Sequence, residues 1–345
     1  MKLALAIGYS GAQMELPVKR VQRAEELGYD SVWTAEAYGS DALSPLAYLA
    51  AVTKRIKLGS GIIQLAARTP ANAAMTAATI DAMSGGRMLL GIGVSGPQIV
   101  EGWYGQPWGR PYYRIKDYVA IIRKIWAREE PVTHEGQEIS LPYEGEGSAG
   151  LAKPLKSILH MNPDIPIYLG TGNPASVRLT GEIADGWLPL GFVPGSLPEY
   201  LPWLEEGFKR AGNGKSLANF EIMANCHVFV DDDVQAALDA MKPETALYVG
   251  GMGARSKNFH KELMIRRGFG DAAERIQELY LAGRKEEAIA AVPDEWVDQK
   301  SLVGPPARII ERYRAWEDGG VTSLGVRTKQ DEAVEVMAKA ARLNA

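Results

Sequence analysis

Along the first half of the chain, short unbroken apolar runs alternate with segments whose apolar residues recur at helical spacing. Leu3–Ile7 is apolar throughout, whereas Val18, Val21, Ala24 and Leu27 mark one face of a helix over Met14–Leu27, closed by Gly28. Ser31–Ala35 is a second run, with a helix from Ser44 to about Lys54 behind it. Ile56–Ile63 is a third, followed by a helix over Pro70–Met83. Thr69 supplies that helix with a hydroxyl cap, and Pro70 takes the first helical position, where its missing N–H is no loss. Met88–Val94 is the fourth run, and Tyr112–Ala127 reads as a strongly amphipathic helix.

The alternation resumes after residue 165. Ile167–Leu169 and Gly186–Leu190 are strand candidates, separated by a helix over Ala175–Ala184. A helix over Leu197–Ala211 precedes a strand over Glu221–Val230. Pro306–Glu317 is helical, Gly319 and Gly320 stop it, and Thr322–Val326 is a strand before a closing helix that ends near Leu343. Eight strands each followed by helix must pair in parallel, because every crossover returns the chain to the same end of the sheet. The fold class predicted is therefore α/β, a (β/α)8 TIM barrel. The runs are mostly apolar rather than alternating, as suits strands covered by helices. Two stretches exceed a minimal barrel: 131–166 after strand 4, with a hairpin-like segment turning near Glu135-Gly136, and 231–304 after strand 7, long enough for several helices. Neither is set off by a linker, so a single domain over 1–345 is expected.

Composition narrows the function. The chain has 345 residues, 46% hydrophobic and 23% charged, which is ordinary for a globular protein. Lys and Arg total 38 against 42 Asp and Glu, a net charge of −4 with no basic block, so nucleic acid is not an expected partner. Cys226 is the sole cysteine, which excludes an internal disulfide. Met1–Gly8 holds one positive charge and an apolar run too short for a signal peptide, and no run approaches a membrane span. A cytoplasmic location, with no membrane partner, is the expectation. The four histidines are scattered without paired-ligand spacing, so no protein-bound metal is expected.

Gly91, Gly93 and Gly96 spell G-x-G-x-x-G, the spacing of a dinucleotide fingerprint. That fingerprint needs a helix opening at the glycines and an acidic residue at the end of the next strand. Pro97, Gly102, Gly105, Pro107, Gly109 and Pro111 argue against any helix before about Tyr112, and Asp117 falls inside that helix. In a barrel the same glycines have another use. Gly91 and Gly93 leave room inside the strand, and Val94–Gln98 falls at its carboxyl end, where barrel sites are built. For Gly91, relief of crowding is the favoured reading.

The residues just past each strand form the candidate site. They are Tyr9 and Ser10, then Glu36 and Tyr38, then Gly61–Gln64, then Ser95–Gln98. Gly170-Thr171-Gly172-Asn173 runs into Pro174 and a helix. Such a segment presents backbone N–H groups to an anion, or Asn173 simply caps the helix; both readings stand. His227 shares a strand face with Asn225 and Phe229 and is either a ligand-facing or a satisfied core residue. Trp103 and Trp108, in a glycine-rich loop, are the tryptophans best placed to touch a ligand. Tyr248–Met252 and Arg255–His260 are expected to shape a pocket or a subunit contact, or to be ordinary surface helices.

Four separated segments resemble the bacterial luciferase-like superfamily: "VWTAEAYG" (Val32–Gly39), "LGSGIIQLAARTP" (Leu58–Pro70), "SGGRMLLGIGVSGPQIVEGWYG" (Ser84–Gly105) and "IPIYLGTGNPASVRLTGEIADGWLPL" (Ile165–Leu190). Within it the chain is similar to the coenzyme F420-dependent oxidoreductases, mainly through Ser95-Gly96-Pro97-Gln98 and Glu101-Gly102-Trp103. The resemblance implies a deazaflavin, F420, or alternatively FMN, held at the carboxyl face. By position it places the phosphate loop on Gly170, Thr171, Gly172 and Asn173. The ring falls against Gly61 and Ile62, with a cis peptide between them, and near Gln64, Ser95, Gly96, Pro97 and Gln98. Several relatives carry a histidine after the strand-2 acidic residue, where this chain has Ala37. Glu36 is then the catalytic candidate, while Tyr9, Tyr38, Trp103 and His227 are expected to border the substrate. The acid/base partner stays open among Glu36, Tyr9, Tyr38 and His227. The activities implied are F420-dependent hydride transfer to or from a small organic substrate, an FMN-dependent monooxygenase, or F420 binding without turnover. A homodimer is the implied assembly.

Overall fold

A computed structural model describes residues 1–252 and 258–343; Arg255, Ser256 and Lys257 of the insertion noted above lie outside the described residues. Two compact units emerge. One comprises Lys2–Leu190 with Pro198–Met223, the other Met1, Gly191–Leu197 and Ala224–Ala345. The fold is the (β/α)8 barrel that the alternation predicts, with strands β1 (Lys2–Gly8), β2 (Ser31–Thr34), β3 (Lys57–Ser60), β4 (Met88–Gly93), β5 (Ile167–Gly170), β6 (Gly186–Trp187), β7 (Glu221–Val230) and β8 (Ser323–Arg327).

In the first unit consecutive strands pair in parallel, Leu5 beside Val32, Val32 beside Leu58, Leu58 beside Met88 and Ile92 beside Leu169. The expected third run is interrupted. Its pairing with β4 stops at Gly59–Leu89 and resumes at Ile63–Ile92, so three residues face two and the strand bulges. Ser60 fills the gap, its Oγ donating to the Gly91 carbonyl (3.0 Å) and accepting from the Gly91 N–H (3.0 Å). A Cβ on Gly91 would sit 1.9 Å from the Ser60 carbonyl oxygen, so this glycine is imposed by the neighbouring backbone. The peptide between Gly61 and Ile62 is cis, the isomer the resemblance implied.

The helix expected from Met14 begins at Val18, behind Pro17, while the start at Thr69-Pro70 lies where the sequence places it. The hydroxyl of Thr69 accepts the N–H of Asn72 (3.2 Å) at the head of the helix Pro70–Ser84. One expectation fails: a short helix, Pro97–Gly102, does open at the third glycine of the triplet. Pro97 occupies its first position, where no N–H is required, Gly96 is the extended cap residue, and Gly102 ends it. The next helix is Pro111–Ala127 and carries Asp117. That buried carboxylate accepts the N–H groups of Glu138 (2.7 Å) and Ile139 (3.0 Å) and contacts His134 Nε2 (3.1 Å). It thereby pins the hairpin-like turn, whose His134 and Leu141 pair antiparallel.

In the second unit the long insertion holds helices Val234–Asp239, Lys242–Gly250, Phe259–Arg266, Gly270–Leu281, Lys285–Ala290 and Asp294–Asp298. They bury Ala246, Leu263, Met264, Ile276 and Trp296 in a core of their own. A strand that the sequence pattern did not announce, Ser301–Gly304, runs parallel to the end of β7, with His227 beside Ser301. Among the described residues no helix is long and apolar enough to cross a membrane.

Candidate active site

Glu36 stands two residues beyond β2, its side chain 3% exposed. Oε1 accepts the Gln64 N–H (2.8 Å) and Arg68 Nη1 (2.6 Å); Oε2 accepts the Ala42 N–H (3.1 Å) and Arg68 Nη2 (2.9 Å). Four donors occupy the four lone-pair directions of the carboxylate, two from a bidentate guanidinium. Burial pulls the Arg68 guanidinium down, but its hydrogen bond to Glu36 and that residue's charge hold it above its ordinary value. Tyr118, whose phenol is pushed up by burial, donates to the carbonyls of Arg68 (3.2 Å) and Thr69 (3.4 Å) and so fixes the arginine's backbone.

This pairing brings β2 and the segment after β3 together. Gln64, 1% exposed, donates Nε2 to the carbonyls of Glu36 (3.0 Å) and Ala37 (3.2 Å). Its Oε1 is buried and has no hydrogen-bond partner among the described residues. Unpaired buried acceptors are uncommon, and this one offers itself to a donor that the chain does not supply. Tyr104 also reaches the Ala37 carbonyl (3.3 Å).

Ile62 explains two other glycines. A Cβ on Gly93 would approach Ile62 Cδ1 to 2.9 Å, and one on Gly170 would approach Ile62 Cγ2 to 3.0 Å. The room expected at Gly93 is therefore filled by the Ile62 side chain. Beneath Ile62 lies a buried cluster of Ala4, Trp33, Leu89, Tyr168, Leu188 and Met223, with Trp33 and Tyr168 edge to face at 5.1 Å. The Gly61 N–H donates to the Thr34 carbonyl (2.6 Å).

The remaining expected residues lie on the β4 and β5 loops, after β1, at the surface, or in the other unit. Ser95 has φ 62°, a left-handed conformation unusual for a serine, and turns the chain toward Gly96, Pro97 and Gln98. Thr171 shares a hydrogen bond with Thr180 (2.7 Å) and accepts the Trp187 indole N–H on its carbonyl (2.9 Å). Asn173 accepts the Ser176 N–H (3.0 Å), the helix-capping geometry, which takes up one of the N–H groups at that helix start. The Tyr9 ring packs beside Gly39. Tyr38 and Trp103 are exposed, and Trp108 lines a small pocket with Leu65, Val94, Val100 and Arg114. His227 belongs to the other unit, where its Nε2 accepts from Arg327 (3.3 Å). Burial, reinforced by Arg327, pushes that imidazole down to about 4, so it is neutral at pH 7.

Arg68 escaped the sequence reading, although a signal existed: it is the sole charged residue between Lys57 and Asp81. A lone cation in so long an uncharged stretch calls for a partner, and Glu36, the sole charge between Asp30 and Asp41, is its counterpart.

This barrel, with a bulged third strand and a rim at the ends of β2 to β5, is that of a known family. The chain belongs to the luciferase-like monooxygenase family, whose model matches residues 6–323. It is 46% identical over 340 residues to a Mycobacterium tuberculosis protein named "Putative coenzyme F420-dependent oxidoreductase Rv3520c", covering 98% of both chains. A 5,10-methylenetetrahydromethanopterin reductase of Archaeoglobus fulgidus is 30% identical over 311 residues, covering 88% of this chain and 86% of the relative. The solved coenzyme F420-dependent tetrahydromethanopterin reductase of Methanopyrus kandleri superposes with a TM-score of 0.80 at 24% identity over 99% of each chain, a likeness of fold.

Proposed function

We propose that this protein is an F420-dependent oxidoreductase that passes a hydride between the deazaflavin and a small organic substrate. The observation that carries the reading is the 46% identity, end to end, with a relative named for F420-dependent oxidoreduction. The first unit is compatible with such a group through Gln64, whose buried Oε1 lacks a donor that a flavin-like ring N–H would provide. A bound deazaflavin supplies two-electron hydride chemistry, and the chain supplies position and exclusion of water. Gly61 and Ile62 would back the ring, Ser95, Gly96, Pro97 and Gln98 would line its edge, and Gly170, Thr171, Gly172 and Asn173 would carry the phosphate.

Glu36 takes a positioning role in this reading. With four donors already on its oxygens it has no free lone pair to receive a proton from substrate. It holds Gln64 and the β3 bulge in register, and Arg68 is its fixed counter-charge. Tyr9, Tyr38 and Trp103 border the substrate.

Titration of the purified protein with F420 and with FMN, followed by visible absorbance, tests the reading. F420 is expected to bind at least about tenfold more tightly than FMN, a difference of about 1.4 kcal/mol, and the complex should turn over at least one alcohol, aldehyde, enone or imine. Q64L should weaken F420 binding while the protein stays folded. A tight FMN complex without F420 affinity would overturn the proposal. F420 binding without turnover across that panel would leave a cofactor-binding protein.

A further inference from the structure

The second unit contains a charged cluster that the cofactor reading does not use. Glu244, from the helix Lys242–Gly250, pairs with Arg327 at the end of β8 (2.7 Å) and lies 3.6 Å from His227. Lys300 donates to the neutral hydroxyl of Thr245, the residue after Glu244 (3.2 Å), and rests over the Trp296 ring at 4.9 Å; among the described residues it pairs with no carboxylate. Arg267 follows the helix Phe259–Arg266, and its Nη1 and Nη2 are buried without any hydrogen-bond partner among the described residues. The indole N–H of Trp296 is buried and unpartnered as well.

The charges do not balance. Among the described residues Glu244 is committed to Arg327 (2.7 Å), while neither Lys300 nor Arg267 has a carboxylate partner. Burial pushes Lys300 down to about 8, and although Glu244 pulls it back up, the charges of Arg267 and Arg327 push it further down. His227 and His260, both lowered to about 4 chiefly by burial, add no charge at pH 7. The Arg327 and Glu244 side chains are 42% and 34% exposed, but the terminal nitrogens of Arg267 and the Trp296 indole N–H are buried, and buried donors are ordinarily bonded. Every orphan named here is a donor and the excess charge is positive, so the missing partner is an acceptor carrying negative charge.

We propose that Arg267, Lys300 and Arg327 form a binding site for the oxyanion of a small-molecule ligand, a phosphate or a carboxylate. A planar guanidinium with both terminal nitrogens free presents a fork that matches either group. Lys300 contributes a point charge held over the Trp296 ring. Glu244 offsets part of the positive charge through its pairing with Arg327. This site is independent of the cofactor assignment, since all its residues belong to the second unit.

Calorimetric titration of the full chain at pH 7 with inorganic phosphate, and separately with succinate, tests it. Either anion should bind, and the preferred one identifies the ligand group. R267M and K300M should each weaken that binding at least about tenfold, the scale of one charge-assisted hydrogen bond, while R267K retains part of it. Thermal melts show whether each variant is folded. E244Q, which removes a competing negative charge and leaves every cation in place, should bind the anion more tightly, and decides the matter if the cation variants do not fold. Absence of binding of both anions to the wild-type chain, folded R267M and K300M that bind as well as wild type, or an E244Q variant with unchanged or weaker affinity would each overturn the proposal.

Discussion

In the first compact unit a buried carboxylate, Glu36, meets one cation and two backbone N–H groups, and every lone-pair direction is filled. In the second, Glu244 is committed to Arg327, and among the described residues the buried terminal nitrogens of Arg267 are left without a partner. A saturated pair of this kind is a structural bracket: it fixes neighbouring backbone and has little to offer an incoming molecule. An unbalanced cluster is the reverse, with buried donors that a ligand of opposite charge would engage. Burial of charge alone therefore does not mark a reactive site; the unused hydrogen-bonding capacity does. By that measure Gln64 Oε1 in one unit and Arg267 Nη1 and Nη2 in the other are among the informative atoms.

The largest effect should come from breaking the saturated pair. R68M leaves Glu36 buried without its counter-ion and should destabilise the protein by about 3–5 kcal/mol, read from chemical denaturation. The double variant E36Q/R68M, which removes both charges, should recover part of that loss. A single variant within about 0.5 kcal/mol of wild type, the range of ordinary surface changes, would mean that the bracket does not hold the fold.

A smaller effect separates the two clusters by pH. His227 and His260 are held near 4 in the folded chain against an ordinary 6.5, mainly by burial, with Arg327 and Lys300 respectively adding to it. Between those values the unfolded chain binds more protons, so the stability they support is present above about pH 6.5 and is lost as pH falls toward 4. Lys300, depressed to about 8 from 10.5, works in the alkaline range: stability should rise as pH climbs through that window. Urea midpoints measured across pH should show both limbs, and H227N and H260N should flatten the acid one. An acid limb identical in wild type and both variants would place the acid sensitivity elsewhere.

Much of this was readable from the residues. Mostly apolar runs located all eight barrel strands, because strands covered by helices show little polar side. Thr69-Pro70 located a helix start to the residue. The helix Pro97–Gly102 was not readable, since prolines and glycines in a short segment argue against helix until one sees that Pro97 and Gly96 occupy the tolerated positions at its start. The purposes of Gly93 and Gly170 were hidden for a different reason. Both make way for Ile62, a contact across strands far apart in sequence. The Glu36–Arg68 pair was half visible, as two isolated charges in uncharged surroundings. The cluster around Lys300 was out of reach, because its members are scattered between residues 227 and 327 and only the folded chain shows which of them lack partners.

The most direct test of the cofactor assignment is a crystal structure of the protein grown with F420. The deazaflavin ring is expected against Gly61 and Ile62, with a ring N–H within hydrogen-bonding distance of Gln64 Oε1 and the Glu36–Arg68 pair unchanged beneath it. A ring bound elsewhere, or one that leaves Gln64 Oε1 without a donor, would contradict the site described for this chain.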